Sequence, residues 1–81
     1  MKARVHVSLK PSVLDPQGQT ITKALHSLGH KEILDVRQGK YFDIQLDPAA
    51  SKESLALQLQ SIAAEVLSNP VIEDFQIEIL G

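Results

Sequence analysis

Three histidines are the residues most able to bind a metal ion, and their spacing does not form a site. His26 and His30 lie four residues apart, which would place them on one face of a helix, but Gly29 between them is a typical helix terminator. His6 belongs to a separate, strand-like segment. Because a zinc site needs three or four converging ligands, the sequence predicts no metal site.

Catalytic side chains are equally poorly arranged. The chain has no cysteine, so thiol catalysis and disulfides are excluded, and none of its serines lies in a nucleophile-elbow motif. Glu73 and Asp74 are adjacent in a predicted strand, which points them to opposite faces of a sheet. We therefore predict no catalytic residue and no cofactor bound by this chain.

The loop at residues 11–18 is a poor phosphate cradle. Two prolines there lack an N–H, Asp15 is acidic, and no arginine is present. A small acylphosphatase-like enzyme is therefore the third and weakest of three hypotheses. RNA binding by a sheet is also disfavoured, because Tyr41, Phe42 and Phe75 are the only aromatics and the two phenylalanines are predicted to face the core.

The length of 81 residues fits one domain, residues 1–81. So small a domain buries only about 60 to 65% of its unfolded surface, which favours self-association as a dimer or tetramer. No apolar run exceeds three residues, so we expect no membrane segment and a cytoplasmic location.

Residues 4–10 alternate between apolar and polar positions, which predicts a half-buried strand. Asp15 and Pro16 form a typical helix start, while Gly18 occupies the position where a capping box would have Glu or Gln. The helix should run from about 16 to 28 on an apolar stripe and end at Gly29. That stripe comprises Ile21, Ala24, Leu25 and Leu28.

A second strand is predicted near 31–38, with irregular alternation, followed by a tight turn at Gly39 and Lys40 and a third strand at 41–47. Ser51 is the predicted N-cap of a second helix that extends to about 68. Its apolar stripe comprises Leu55, Leu59, Ile62, Ala63 and Val66. Alternating Phe75, Ile77 and Ile79 predict the last strand.

The predicted order is βαββαβ, which favours an α+β two-layer sandwich of ferredoxin-like type. We expect a four-stranded antiparallel sheet with both helices on one face and strand one between strands three and four.

Charge is divided unevenly along the chain. Residues 1–40 carry seven bases and three acids, net +4, and residues 41–81 carry one base and seven acids, net −6. In the predicted sheet, Arg4 and His6 lie beside Asp43 and Gln45 on one side and Gln76 and Glu78 on the other. The split should therefore largely cancel in space, which favours protein partners over nucleic acid.

Four segments together resemble the PurS family, the small subunit of phosphoribosylformylglycinamidine synthase. They are Val13–Gly18 with Ala24–Gly29, Val36–Tyr41 and Asn69–Phe75. The resemblance implies a non-catalytic role in de novo purine synthesis, in converting formylglycinamide ribonucleotide to formylglycinamidine ribonucleotide. It further implies that the chain bridges a synthetase subunit, which uses ATP and Mg, and a glutaminase subunit, so that ammonia passes between them.

Within these segments we assign structural roles to five residues, namely Asp15, Pro16, Gly18, Gly29 and Gly39. Arg37, Lys40 and Tyr41 are the candidate partner contacts, since the predicted fold does not require those side chains there. The alternative function is an ACT-like module that binds a small metabolite, because such modules share the βαββαβ order.

Overall fold

A computed structural model describes residues 1–80 of the chain. The elements are β1 (Lys2–Leu9), α1 (Pro16–Ser27), β2 (Gly39–Gln45), α2 (Lys52–Ile62), which continues as a π-helical turn (Ala63–Leu67), and β3 (Glu73–Leu80). Within residues 1–80, no helix has the length and apolar character needed to cross a membrane.

The sheet has three antiparallel strands in the order β2-β1-β3, so the prediction of four strands is wrong. The α+β class and the central place of β1 agree with the sequence pattern. Val5 of β1 pairs with Phe42 of β2 and with Ile77 of β3. These residues share the inner face of the sheet, and alternate residues point to the outer face.

The missing strand is residues 31–38, which pack against α1 instead of entering the sheet. Ile33 and Val36 are half-buried, whereas Leu34 between them is 87% exposed. The carbonyl oxygen of Ile33 lies 2.6 Å from Nε2 of His26 on α1. The predicted hairpin is therefore also wrong, and Gly39 begins β2 rather than turning between two strands.

The core lies between the inner face of the sheet and α2. Its fully buried apolar residues are Ala3, Val5, Val7, Leu59 and Ala63. Half-buried side chains surround the cluster of Val5, Val7 and Ala63, namely Phe42, Ile44, Leu67, Phe75 and Ile77. Alternation in β1 and β3 predicts which strand residues face this core.

Helix α1 begins and ends with distinct capping residues. The Asp15 carboxylate accepts a hydrogen bond from the Gly18 amide, and Pro16 occupies the first helical position. After Leu28, the chain reverses at Gly29, whose φ of +97° is the left-handed conformation that glycine adopts without strain.

A π-helical turn changes the inward face at the end of α2. Ser51 caps the helix by accepting from the Ser54 amide, as its position in the sequence predicts. The π-helical turn contains one residue more than a turn of α-helix. At its end, Ser68 Oγ donates a hydrogen bond to the Ala63 carbonyl oxygen. As a result Leu67 is half-buried while Val66 is 74% exposed, so the prediction that Val66 faces the core is wrong.

The chain is extended and flat, measuring 52 × 27 × 14 Å with a radius of gyration of 16.3 Å. A compact domain of this length would have a radius of gyration of about 12 Å. The elongation arises because α1 lies beside the sheet without packing extensively on any strand. The expected arrangement, with both helices covering one face of the sheet, is therefore also wrong.

Candidate partner-binding site

Asp15 joins the start of α1 to the start of β2. Its two carboxylate oxygens accept hydrogen bonds from the Gly18 amide at 3.0 Å and the Gln38 amide at 2.7 Å, and the residue is only 4% exposed. The Gln38 bond, then the Gly18 bond, and to a lesser extent the charge of Arg37 lower the pKa of Asp15, against an opposing effect of burial. Asp15 is therefore held as a carboxylate that anchors two backbone segments.

Gly18 lies where α1 and residues 33–38 meet most closely. A Cβ added there would lie 2.0 Å from the Val36 carbonyl oxygen, far inside van der Waals contact. The same added atom would lie 2.9 Å from an Asp15 carboxylate oxygen. This position therefore needs glycine for space rather than for an unusual φ.

Arg37 is used within the chain. Its Nη2 donates to the Lys10 carbonyl at 3.0 Å and the Val13 carbonyl at 2.8 Å. The sequence places Arg37 among the partner contacts, but it does not reveal these bonds to the loop after β1. We use "latch" for the group formed by Asp15, Gly18 and Arg37.

The latch and the contact between His26 and Ile33 tie residues 33–38 along the length of α1. We use "arm" for this unit of α1 and residues 33–38. Gly18, Thr22, Leu25 and His26 are the more buried residues of α1. A second face of the helix carries Ile21, Ala24 and Leu28, all exposed, with Leu28 75% exposed. The arm therefore presents an apolar stripe that its own chain leaves uncovered.

The outer face of the sheet is centred on Arg4 and Tyr41. The Arg4 guanidinium donates to Asp43 at 2.8 Å and 3.3 Å and lies 4.7 Å from the centroid of the Tyr41 ring. The hydrogen bond and charge of Arg4 lower the pKa of Asp43. The His6 ring lies 6.1 Å from that of Tyr41, which remains 58% exposed.

Ion pairs and one contact between a histidine and a glutamate connect β1 and the residue after it to both neighbouring strands on this face. Besides the Arg4 pair, the structure has contacts of Lys2 with Asp43 at 3.8 Å, Lys10 with Asp74 at 2.9 Å, and His6 with Glu78 at 3.8 Å. The basic first half and the acidic second half thus meet across the sheet. Solvent and salt screen these pairs because their side chains are exposed.

Lys40 and Tyr41 lie on β2 with exposed side chains, whereas the neighbouring Gly39 has a packing role. Lys40 Nζ lies 5.7 Å from the centroid of the Phe42 ring. A Cβ on Gly39 would lie 2.9 Å from the Val7 carbonyl oxygen, so glycine permits the close approach of β1 and β2. Of the three predicted partner contacts, the structure places Lys40 and Tyr41 next to each other on β2 with their side chains on opposite faces of the sheet, and it places Arg37 in the latch.

Metal-binding groups are not assembled in the described part of the chain: among residues 1–80, no three His, Cys, Asp or Glu side chains converge. What the fold does assemble is a polar sheet face centred on an arginine and a tyrosine, together with an apolar arm. Arginine and tyrosine are enriched among the residues that dominate protein interfaces. Fold and surface together define a small α+β protein of the kind that binds other proteins.

Comparison with known proteins specifies the family. Residues 2–81 match the PurS family model, described as phosphoribosylformylglycinamidine (FGAM) synthase. A PurS subunit from Mycobacterium leprae is 49% identical over 76 residues, which are 94% of this chain and 91% of the relative. The chain therefore belongs to the PurS family of subunits of phosphoribosylformylglycinamidine synthase, which functions in purine biosynthesis. The family and this function, both predicted from the sequence, are confirmed.

Solved structures agree with this placement. Bacillus subtilis PurS superposes with a TM-score of 0.87 at 41% identity, covering 99% of this chain and 98% of that one. A chain in the structure of PurLQS from Thermotoga maritima superposes with a TM-score of 0.85 at 28% identity, covering 98% of this chain and 95% of that one. The likeness thus extends over nearly the whole of each chain.

Proposed function

We propose that this chain is the non-catalytic subunit that bridges the synthetase and glutaminase subunits of phosphoribosylformylglycinamidine synthase. The observation that carries the proposal is the full-length match to a chain in PurLQS from Thermotoga maritima. In this role the protein supports the conversion of formylglycinamide ribonucleotide to formylglycinamidine ribonucleotide in the cytoplasm. ATP and Mg are used by the synthetase subunit, whereas the bridging chain holds no cofactor of its own.

Bridging helps the reaction through proximity. Ammonia released by a separate glutaminase would be diluted into water, whereas a glutaminase held against the synthetase delivers it at high local concentration. The bridging protein needs no reactive side chain for this effect. It needs surfaces that fix the relative position of two larger subunits.

Lys40 and Tyr41 are the proposed contacts with one of these subunits. Tyr41 offers a large ring that is already held by Arg4 at 4.7 Å, so little side-chain freedom remains to be lost on binding. Lys40, next to it on β2, is exposed as well. Because adjacent strand residues point to opposite faces, the two side chains offer an aromatic anchor on the outer face and a positive charge on the inner side of the same sheet edge.

Self-association, as a dimer or tetramer, is part of the same proposal. The exposed large hydrophobic residues include Leu28, Leu34, Leu57, Val66 and Val71, each at least 74% exposed. An extended chain of this size gains stability by covering such residues with a further copy.

The proposal predicts that Tyr41→Ala weakens assembly of the three-subunit complex. The chain, the synthetase and the glutaminase would be mixed with glutamine and ATP, and the complex would be followed by analytical ultracentrifugation. We expect the variant to require at least about tenfold more chain for half-maximal assembly, as for loss of an interface anchor.

The matched control is Gln76→Ala, which removes another exposed side chain from the same sheet face, on β3. It should assemble like the unmodified chain. If the unmodified chain formed no complex with the two subunits, the proposed bridging function would be wrong. If Tyr41→Ala assembled normally, only the assignment of Tyr41 would be wrong.

A further inference from the structure

The arm is joined to the sheet at one end only. The chain enters the arm through residues 10–15, after β1, and leaves it at Gln38, next to the first residue of β2. In the described part of the chain, α1 does not pack extensively on any strand. A cavity of about 230 Å³ separates the base of the arm from the strands, and Asp15, Val7 and Glu73 are among the residues that line it. Packing against the sheet therefore does not set the direction in which the arm points.

Arg37 is the side chain that fixes the base of the arm to the sheet. One of its nitrogens, Nη2, donates to the carbonyl oxygens of both Lys10 and Val13. Lys10 is in turn fixed to the sheet, because its amide donates to the Ile72 carbonyl oxygen at 2.8 Å and its ammonium to Asp74 at 2.9 Å. A chain of hydrogen bonds therefore connects the arm to the start of β3.

Asp15 provides the second connection at the base, because it joins the first turn of α1 to the Gln38 amide. From this base the arm extends as a lever. Helix α1 has 12 residues and so is about 18 Å long. A pivot of about 10° at the latch would therefore move the far end of the arm by about 3 Å. That end carries Leu28 and Leu34, which are 75% and 87% exposed.

We propose that Arg37 and Asp15 are positioning residues for nitrogen transfer, which set the angle between the arm and the outer face of the sheet. This inference rests on the proposed function, in which Tyr41 on that face contacts one of the large subunits. Proteins that pack on the arm and on the Tyr41 face are held at the angle that the latch sets. Misplacing reacting groups by about 1 Å can lower an enzymatic rate on the order of 100-fold, so the shift at the end of the lever is large on this scale.

The direction of the arm can be measured in this chain alone, as the distance between two spin labels. The chain has no cysteine, so Lys31→Cys near the far end of the arm and Gln60→Cys on α2, both at exposed positions, give a unique labelled pair. Labelled chain diluted into a large excess of unlabelled chain reports distances within one copy. Arg37→Met removes both hydrogen bonds and should broaden the distance distribution at least about twofold.

Two further variants separate the hydrogen bonds from charge alone. Arg37→Lys should keep the narrow distribution, because both bonds come from a single nitrogen and a lysine ammonium also has donors for two carbonyls. Lys52→Met is the matched control, since it removes the same charge from an exposed position on α2, away from the latch. It should leave the distribution unchanged.

The role in nitrogen transfer is tested in the three-subunit complex. Arg37→Met should lower the rate with glutamine at least about fivefold relative to the rate with saturating ammonium. Enough chain is used for ultracentrifugation to show full assembly, so that a lower rate does not reflect missing complex. Asp15→Asn, which replaces one acceptor oxygen of the latch by a donor, should lower the same ratio and serves as the test if Arg37→Met does not fold.

The positioning role would be overturned by an unchanged distance distribution in Arg37→Met, by Arg37→Lys behaving like Arg37→Met, or by equal rate ratios in fully assembled complexes. Failure of the bridging function gives a different result. The wild-type chain would then form no complex, while Arg37→Met would still broaden the distance distribution. In that case the role in nitrogen transfer is lost together with bridging, and only the latch as the fixed base of the arm is kept.

Discussion

Gly18 illustrates how a single residue can be fixed by its neighbours rather than by its own conformation. Its backbone is helical, and the Val36 carbonyl occupies the space that any side chain would need. Gly29 is the contrasting case, with an open surrounding and a positive φ. The sequence indicates both glycines as structural positions, but only the role of Gly29, as a helix terminator, can be recognised from the neighbouring sequence. The need for glycine at position 18 arises from the Val36 carbonyl, which approaches it only in the folded chain.

Gly18→Ala should destabilise the fold by about 3 kcal/mol, because the added methyl group must displace a backbone carbonyl rather than a flexible side chain. Urea unfolding followed by circular dichroism would measure the free energy of unfolding. The control is Gly29→Asn, which should cost less than about 1 kcal/mol since asparagine tolerates the left-handed region. Equal losses in the two variants would contradict the close approach to Val36.

Asp15 should make stability depend on pH in the acid range. Because its pKa in the folded state lies below the ordinary value of 3.8, the unfolded chain takes up the proton first as pH falls. The stabilisation by Asp15 is therefore complete above that value and is lost as pH decreases through the folded-state pKa. At neutral pH the wild type should be more stable than Asp15→Asn.

The measurement is urea unfolding of both proteins from about pH 7 to about pH 2. Asp43 also has a lowered pKa, but it is present in both proteins, so its effect cancels in the difference. The difference in free energy of unfolding between wild type and Asp15→Asn should narrow as pH falls below the ordinary pKa of an aspartate carboxyl group. A gap that stayed constant with pH would show that the charge of Asp15 is not what holds the latch.

At the scale of elements, sequence patterning identifies both helices and three of the four predicted strands. Alternation in β1, β2 and β3 survives into the structure because each of these strands has one buried and one polar face. Residues 31–38 have an irregular pattern, and their apolar side chains Ile33 and Val36 bury against α1. Single-segment patterns cannot distinguish burial against a helix from burial in a sheet.

The end of α2 offers a test at this scale. An uninterrupted α-helix would turn Val66 toward the core, whereas the π turn turns Leu67 inward. Leu67→Ala should therefore lower the free energy of unfolding by about 2 kcal/mol. Val66→Ala should change it by no more than about 0.5 kcal/mol, as expected for an exposed position. Thermal and urea unfolding of the two variants would decide, and a larger loss from Val66→Ala would contradict the π turn.

At the scale of the whole molecule, the candidate partner surface is only partly predictable from sequence. Tyr41 is exposed on β2 as the pattern indicates, Lys40 belongs to that strand instead of the predicted turn, and Arg4 lies opposite Asp43 as the expected strand order requires. The hydrogen bonds of Arg37 within the chain could not be predicted, because its carbonyl acceptors lie 24 and 27 residues away in sequence. The extended shape could not be predicted either, since it depends on where α1 lies relative to the sheet.

The central claim is that this chain acts by holding two active sites together. It predicts that the chain affects the rate with glutamine as nitrogen donor differently from the rate with free ammonia. With purified synthetase and glutaminase, formation of formylglycinamidine ribonucleotide would be measured with each donor, with and without the chain. The account predicts that omitting the chain abolishes most of the glutamine-dependent rate but leaves the rate with saturating ammonium unchanged. A glutamine-dependent rate that persisted in full without the chain would contradict it.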